Sequence, residues 1–258
     1  MPNEEHFQVV ISSTFTLETQ KTNLQNAFEK FFSNITLEVA DVDTIEYELF
    51  DPNSKALTKQ PQAILVLWRL EDLYPDLVFN QFSILPEKRK NSFNNIKDRI
   101  DQIVQGYNGA SSLFLSTLPQ SSFFKYHEPN TDFSGKQIWH QLNSHIYDIC
   151  SKNRNIFLFD FALWSVREGV SFYSEKYDLY AKQAISPSAI DSFSDCLAQT
   201  VYANTIQTKK LLILDLDNTL WGGVLGEDLL DGLVIGHEYP GNIFFRIQQF
   251  IQSLKHRG

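Results

Sequence analysis

The sequence predicts an α/β protein built on a parallel sheet. Two observations carry that expectation. Short apolar runs alternate with longer amphipathic stretches, which is how strands and crossover helices follow one another in such sheets. One run, Ala63-Ile64-Leu65-Val66-Leu67-Trp68, is apolar at every position, as a strand covered on both faces must be.

The elements read in order. Residues 7–11 form a first strand, and residues 17–32 place Leu17, Leu24, Ala27, Phe28, Phe31 and Phe32 on a helical face. Residues 35–39 and 63–68 are strands. Residues 89–105 carry Phe93, Ile96, Ile100, Ile103 and Val104 at helical spacing, and 113–115 is another buried strand. Residues 134–151 are helical through Ile138, Leu142, Ile146 and Ile149, and 156–159 is a strand closed by Asp160. Residues 187–205 read as a helix with Pro187 at its first turn and Ser186 or Ser188 as cap. A last strand is expected at 211–216. Ligands of parallel sheets sit outside the carboxyl ends of the strands, so the segments after Ile11, Trp68, Leu115, Phe159 and Leu216 are the ones to inspect. A polar stretch at 207–210 marks a boundary, giving one domain over residues 1–207 and a second region over 208–258.

Composition narrows the function classes. The 258 residues are 43% hydrophobic and 21% charged, values of an ordinary globular chain and not of a disordered tail. The 22 Lys and Arg against 31 Asp and Glu give a net charge of −9, which argues against a nucleic-acid or anionic-membrane binder. No apolar run reaches the roughly 18 residues of a membrane span. The start, Met1-Pro2-Asn3-Glu4-Glu5-His6, has no basic region followed by an apolar one and is not a signal peptide. Cys150 and Cys196 each fall in an expected helix with no neighbouring ligand pair. They read as two reduced thiols in a cytoplasmic protein.

The sharpest chemical signal is Leu211-Leu212-Ile213-Leu214-Asp215-Leu216-Asp217-Asn218-Thr219. An apolar run ends in D-x-D-x-T, so a strand would deliver two carboxylates to its carboxyl end. Ionised together they repel, and a Mg²⁺ with oxygen ligands relieves that repulsion. One carboxylate can then attack phosphorus while the other exchanges the proton with the leaving group.

Asp215-Leu216-Asp217-Asn218-Thr219 resembles the first motif of the haloacid dehalogenase superfamily. The run that follows, Leu220-Trp221-Gly222-Gly223-Val224-Leu225-Gly226-Glu227-Asp228 with Gly232-Leu233, Ile235-Gly236 and Pro240-Gly241, resembles the FkbH-like branch, subfamily IIIC. The resemblance implies a Mg²⁺-dependent phosphatase or glyceryl transferase of polyketide-type pathways that loads a phosphorylated three-carbon unit onto an acyl carrier protein. By position, Asp215 would be the nucleophile and a metal ligand, and Asp217 the acid/base, also binding the metal through its backbone carbonyl. Thr219 would order the loop, and residues 221–236 would form a flap hairpin. The superfamily's phosphate-holding Ser or Thr, its Lys and its further acidic ligands belong to later strands, and FkbH-like proteins carry a Cys-Ser-Lys-Asn segment just beyond the position of Gly258. The expectation is therefore weak Mg²⁺ binding and no turnover by these residues alone, with truncation, an imposed boundary and a split protein all open. An unpaired sheet edge after Leu211 would favour homo-oligomers.

FkbH-like proteins begin with an SGNH hydrolase-like domain, so the implied architecture is a three-layer, flavodoxin-like SGNH domain followed by the first β-flap-α unit of a haloacid dehalogenase-like Rossmannoid domain. The match is weak at the catalytic motifs. Ser12-Ser13-Thr14 stands where Gly-Asp-Ser would, placing Thr14 at the nucleophile. Gln183 and Ser186, before Pro187, stand where the Asp and His would. Without an imidazole, a Thr hydroxyl is a poor nucleophile. This domain is expected to keep the fold and lose ester hydrolysis, leaving a binding or docking module; a variant ester hydrolase is the alternative. Thr14, Thr16, Arg69, Asp72 and Ser186 are expected to line one crevice, with Arg69 paired either to a phosphate or to Asp72. His127, His140, His145 and His237 show no metal-ligand spacing and read as surface or core residues.

Overall fold

The computed structural model describes residues 6–80, 83–107, 109, 111–120, 134–206 and 211–257. It divides into two compact units, Met1–Ile206 and Gln207–Gly258. Among the described residues no helix is long and apolar enough to cross a membrane. His127, read above as a surface or core residue, lies outside the described residues.

The first unit is a three-layer α/β/α structure. Five strands, β1 (Phe7–Ser13), β2 (Ile35–Val39), β3 (Ala63–Leu67), β4 (Ser112–Ser116) and β5 (Ile156–Phe159), form a sheet in the order β2-β1-β3-β4-β5. All neighbours pair in parallel, with Val9 opposite Leu37 on one side and Ala63 on the other. The chain leaves β1 toward one edge and later returns to place β3 on its other side, so the direction of winding reverses between β1 and β3. Parallel doubly wound sheets of this order bind ligands at the carboxyl end of that reversal.

Strand periodicity distributes the core between the two faces. Val9, Ile11, Ala63, Leu65 and Leu67 face one helical layer, α1 (Lys21–Glu29) and α10 (Ile190–Thr205), through Leu24, Phe28, Phe193 and Leu197. Val10, Ile64, Val66 and Trp68 face the other, which comprises α2 (Ile45–Phe50), α3 (Lys55–Lys59), α6 (Pro86–Gly106) and α7 (Gly135–Lys152). Ile100, Ile103, Leu142 and Ile146 fill that second layer. All five β3 residues are buried, which explains a strand without polar alternation. Ser134 and Asp160 cap α7 and α8 (Phe161–Glu168) by accepting the backbone N–H of Gln137 and Leu163.

Three shorter helices join the strands: α4 (Leu70–Leu73) and α5 (Pro75–Phe79) after β3, and α9 (Glu175–Ala181) before α10. They and α2, α3 and α8 are too short for a 3.6-residue period to stand out in the sequence. The helix expected from Pro187 starts instead at Ile190, with Ala189 as cap residue. The Ser186 hydroxyl donates to the Ser171 carbonyl and so does not cap α10. The thiols of Cys150 and Cys196 are free and half-buried. Burial pushes the Cys150 thiol up to about 12 and that of Cys196 upward too, so both stay protonated and unreactive at neutral pH.

In the second unit the expected strand at 211–216 is not formed. The segment pairs with no strand among the described residues, and Leu211, Leu212 and Ile213 are 75%, 55% and 83% exposed. A strand needs a ladder partner, and among its described residues this unit shows two isolated bridges, Asp217 with Trp221 and Gly222 with Val234. The expected flap hairpin is likewise corrected. The Gly222–Val234 bridge closes its ends, but α11 (Leu225–Gly232) lies between them and is interrupted at Leu229. The last element is α12 (Gly241–Arg257), which exposes Ile243 and Phe250.

Two measurements test this picture. Thermolysin, which cuts before large apolar residues, is expected to cleave first within 211–216 and leave a stable fragment ending near residue 210 by mass spectrometry. Resistance of that segment would show that it is paired. Leu65→Ala, at a fully buried position, is expected to lower unfolding free energy by about 2–5 kcal/mol in denaturant titrations.

Candidate functional site

Two places gather the residues singled out from the sequence. The first lies at the carboxyl ends of β1 and β3. β1 runs into Thr14, whose backbone N–H is held by the Leu67 carbonyl at 3.0 Å. This bond continues the β1–β3 pairing one residue further and sets the Thr14 hydroxyl beside the residues that leave β3. The Thr14 Oγ1 donates to Asp72 Oδ2 at 2.9 Å and accepts the Arg69 backbone N–H at 3.2 Å. Both capacities of the hydroxyl are thereby used, and Thr14 is fully buried.

Arg69 is the centre of this cluster. Its Nε and Nη2 bond the two oxygens of Asp72 at 2.7 and 2.9 Å, and Nη2 also reaches Asp178 Oδ1 at 3.1 Å. Its Nη1 stands 3.9 Å from Glu71 Oε1, and neither Nη1 nor Glu71 Oε2 has a hydrogen-bond partner. The guanidinium lies 5.5 Å from the Phe15 ring centre, within reach of a cation–π contact. Burial works against the charge on Arg69, but Asp72, Glu71 and Asp178 outweigh it and push its pKa up. Glu71 is buried without a direct hydrogen bond to Arg69. Burial drives its carboxyl up to about 7; Arg69 opposes this, while Asp72 and Asp178 reinforce it.

The five residues expected to line one crevice therefore separate. Thr14, Arg69 and Asp72 are together, but sealed. Of the two partners foreseen for Arg69, Asp72 holds it. Ser186 is buried and bonded to the Ser171 carbonyl at 2.6 Å and to Ser188 Oγ at 2.9 Å. Gln183, in the Asp position of the SGNH comparison, bonds Thr19 and the Ile185 carbonyl. Thr16 donates its backbone N–H to the Lys182 carbonyl. It lines a separate open cleft of about 450 Å³ with Lys21, Glu38, Asp41 and Lys55 at the end of β2. Histidines bond or stack elsewhere: His6 with Thr36, His145 with Asp101, His140 against Trp139 and His237 against Phe245.

Two members of the cluster were not singled out in the sequence. Glu71 follows Arg69 by two residues, but only its burial makes it unusual. Asp178 lies 109 residues from Arg69, and no local pattern joins them.

The second place is the Asp215–Thr219 segment. Asp217 is half-buried, and its Oδ1 accepts Trp221 Nε1–H at 3.0 Å and the Leu225 N–H at 3.1 Å. Asn218 adopts φ +55° and accepts the Gly223 N–H at 2.9 Å. The turn is tightened by Thr219 and Leu220, whose N–H groups donate to the Leu216 carbonyl. Asp215 is exposed, and its Oδ1 accepts the Leu216 N–H. Oxygen donors of this kind suit Mg²⁺, which takes six. Asp215 and Asp217 match in chemistry and fall short in number, since no group of three His, Cys, Asp or Glu gathers among the described residues.

No protein-family model and no curated protein matches the chain. Among solved structures, the fold resembles the N-terminal part of a Bacteroides fragilis protein containing a phosphatase domain, complexed with Mg. The TM-score is 0.78 at 20% identity, over 98% of this chain and 67% of that one. A lipase from a goat rumen metagenome gives 0.50 at 12% identity, over 77% of this chain and 98% of that one. At these identities the likeness shows a shared α/β fold with hydrolase-like neighbours.

Arg69→Ala would strand the Asp72 and Asp178 carboxylates in the interior. Breaking a buried pair from one side costs about 3–5 kcal/mol, and chemical denaturation of the variant should show a loss of that size. A loss below 1 kcal/mol would mean that the cluster is hydrated.

Proposed function

We propose that this chain is part of an FkbH-like phosphatase or glyceryl transferase. In this reading the segment from Asp215 supplies the reacting carboxylates, and the SGNH-like unit holds a substrate or docks an acyl carrier protein without hydrolytic chemistry of its own. The main support is that a fold likeness to a phosphatase-domain structure complexed with Mg extends over 98% of the chain, which carries D-x-D-x-T at residues 215–219. Loading of a phosphorylated three-carbon unit onto an acyl carrier protein is the proposed role of the whole protein, and the cytoplasm its proposed place.

The chemistry follows from the side chains. Asp215, exposed at the start of the turn, attacks phosphorus; a P–O bond forms to its carboxylate as the bond to the leaving oxygen breaks. Asp217 gives the leaving oxygen a proton and later takes one from the water that hydrolyses the acyl phosphate. The N–H groups of Trp221 and Leu225 fix the orientation of Asp217 through Oδ1. Mg²⁺, held by Asp215 and Asp217 with oxygens from outside the described residues, would neutralise phosphoryl charge.

The binding-module reading of the first unit is favoured over an esterase by Thr14, whose hydroxyl is buried and doubly bonded to Asp72 and the Arg69 backbone. Calorimetry with Mg²⁺ and turnover of p-nitrophenyl acetate test both halves. Weak Mg²⁺ binding that disappears in Asp215→Asn is expected, together with no acetate hydrolysis. Binding unchanged in Asp215→Asn would remove the phosphoryl reading, and acetate turnover abolished by Thr14→Val would establish the esterase.

A further inference from the structure

Helix α9 is attached to the first unit in an unusual way. Six of its seven residues are exposed, with Leu179 and Tyr180 at 79% and 84%, and Asp178 alone turns inward. No apolar side chain of α9 is buried. Asp178 holds it through Arg69, and Tyr173 Oη donates to Asp178 Oδ2 at 3.0 Å. At its end the Lys182 carbonyl accepts the Thr16 N–H. The helix is thus fastened by polar contacts to the segments that follow β1 and β3.

The fastening carries an imbalance of charge. Among the described residues Arg69 is the one cation of this cluster, and three carboxylates surround it: Glu71 and Asp72 from α4, and Asp178 from α9. These are the charged groups that face Glu71. Their bonds to Arg69 are unequal. Asp72 makes two short ones, Asp178 a single contact at 3.1 Å, and Glu71 none, standing 3.9 Å from an unpartnered Nη1. With Glu71 neutral, two carboxylates share the guanidinium. With Glu71 ionised, a third competes for Arg69 and repels Asp178, whose single contact is the weakest of the set.

We propose that this cluster is a proton-operated latch: protonated Glu71 keeps α9 clamped to the segments following β1 and β3, and loss of that proton releases α9 and opens the buried Thr14–Arg69 crevice. The direction follows from linkage. In the closed form burial raises the Glu71 pKa from its ordinary 4.5 to about 7, with Asp72 and Asp178 adding to it and Arg69 and a backbone hydrogen bond opposing it; release of α9 removes Asp178 and admits water, so Glu71 binds its proton more tightly closed than open. Closure is therefore favoured at low pH and progressively less so up to about 7, above which no further change is due to this group.

Hydrogen exchange of residues 173–183, corrected for intrinsic rates and read against the β1 and β3 amides as internal reference, tests the latch between pH 4 and 9. Protection of α9 is expected to fall at least tenfold between pH 4 and about 7 while β1 and β3 stay protected. Glu71→Gln, which mimics the protonated acid, should hold α9 protected throughout. Asp178→Asn should leave α9 weakly protected at every pH. A flat wild-type profile would overturn the proposal whether or not the variants fold, as would a Glu71→Gln profile identical to the wild type.

Discussion

A buried guanidinium organises the carboxyl edge of this sheet. Arg69 is held where parallel α/β proteins usually open to a ligand, at the reversal between β1 and β3. It cannot be taken out of water without partners, and it collects them from two distant stretches of chain, the residues just after β3 and the middle of α9. Thr14 completes the arrangement by spending its hydroxyl on the same carboxylate. The result is a crevice filled by the protein's own charges. That filling gives the Thr14 hydroxyl, at the end of β1, a structural task.

The hydrophobic pattern made the sheet legible. Strands 35–39 and 156–159 and the α6 and α7 helices stand close to where their apolar residues place them, because burial on one face or both imposes a period on the sequence. The cluster around Arg69 had no such signature. Arg69 and Asp72 are three residues apart and could be paired on sight, whereas Asp178 enters only once the chain has folded back. Thr16 joins Thr14 by its place after β1 and Ser186 by the SGNH resemblance, yet neither backbone direction beyond a strand nor a motif position fixes a side chain's neighbours, and both turn to other partners. The run 211–216 failed for a different reason. Its apolar residues state that it should be buried, but not which neighbours would bury it.

The two units differ in what holds them. The first has two apolar layers on one sheet, and most strand residues are buried. The second is organised around polar turns: Asp217 accepting from Trp221 and Leu225, Asn218 from Gly223, and Gln248 Nε2 donating to the Leu220 carbonyl. Such bonds fix the local shape of the D-x-D-x-T loop while leaving the leucines before it in solvent. A loop can thus be well formed although the segment before it joins no sheet among the described residues.

The strict alternation along β3 also bears on how this chain can vary over evolutionary time. Odd-numbered residues from Ala63 to Leu67 face the α1/α10 layer and even-numbered ones from Ile64 to Trp68 the α6/α7 layer. Loss or gain of one codon inside that stretch would exchange the two sets at a stroke, putting a tryptophan where an alanine or leucine fits and turning Arg69 away from its carboxylates. Length changes among relatives should therefore fall in the connections between helices and strands, and β3 should keep its spacing to Arg69 even where its side chains are replaced.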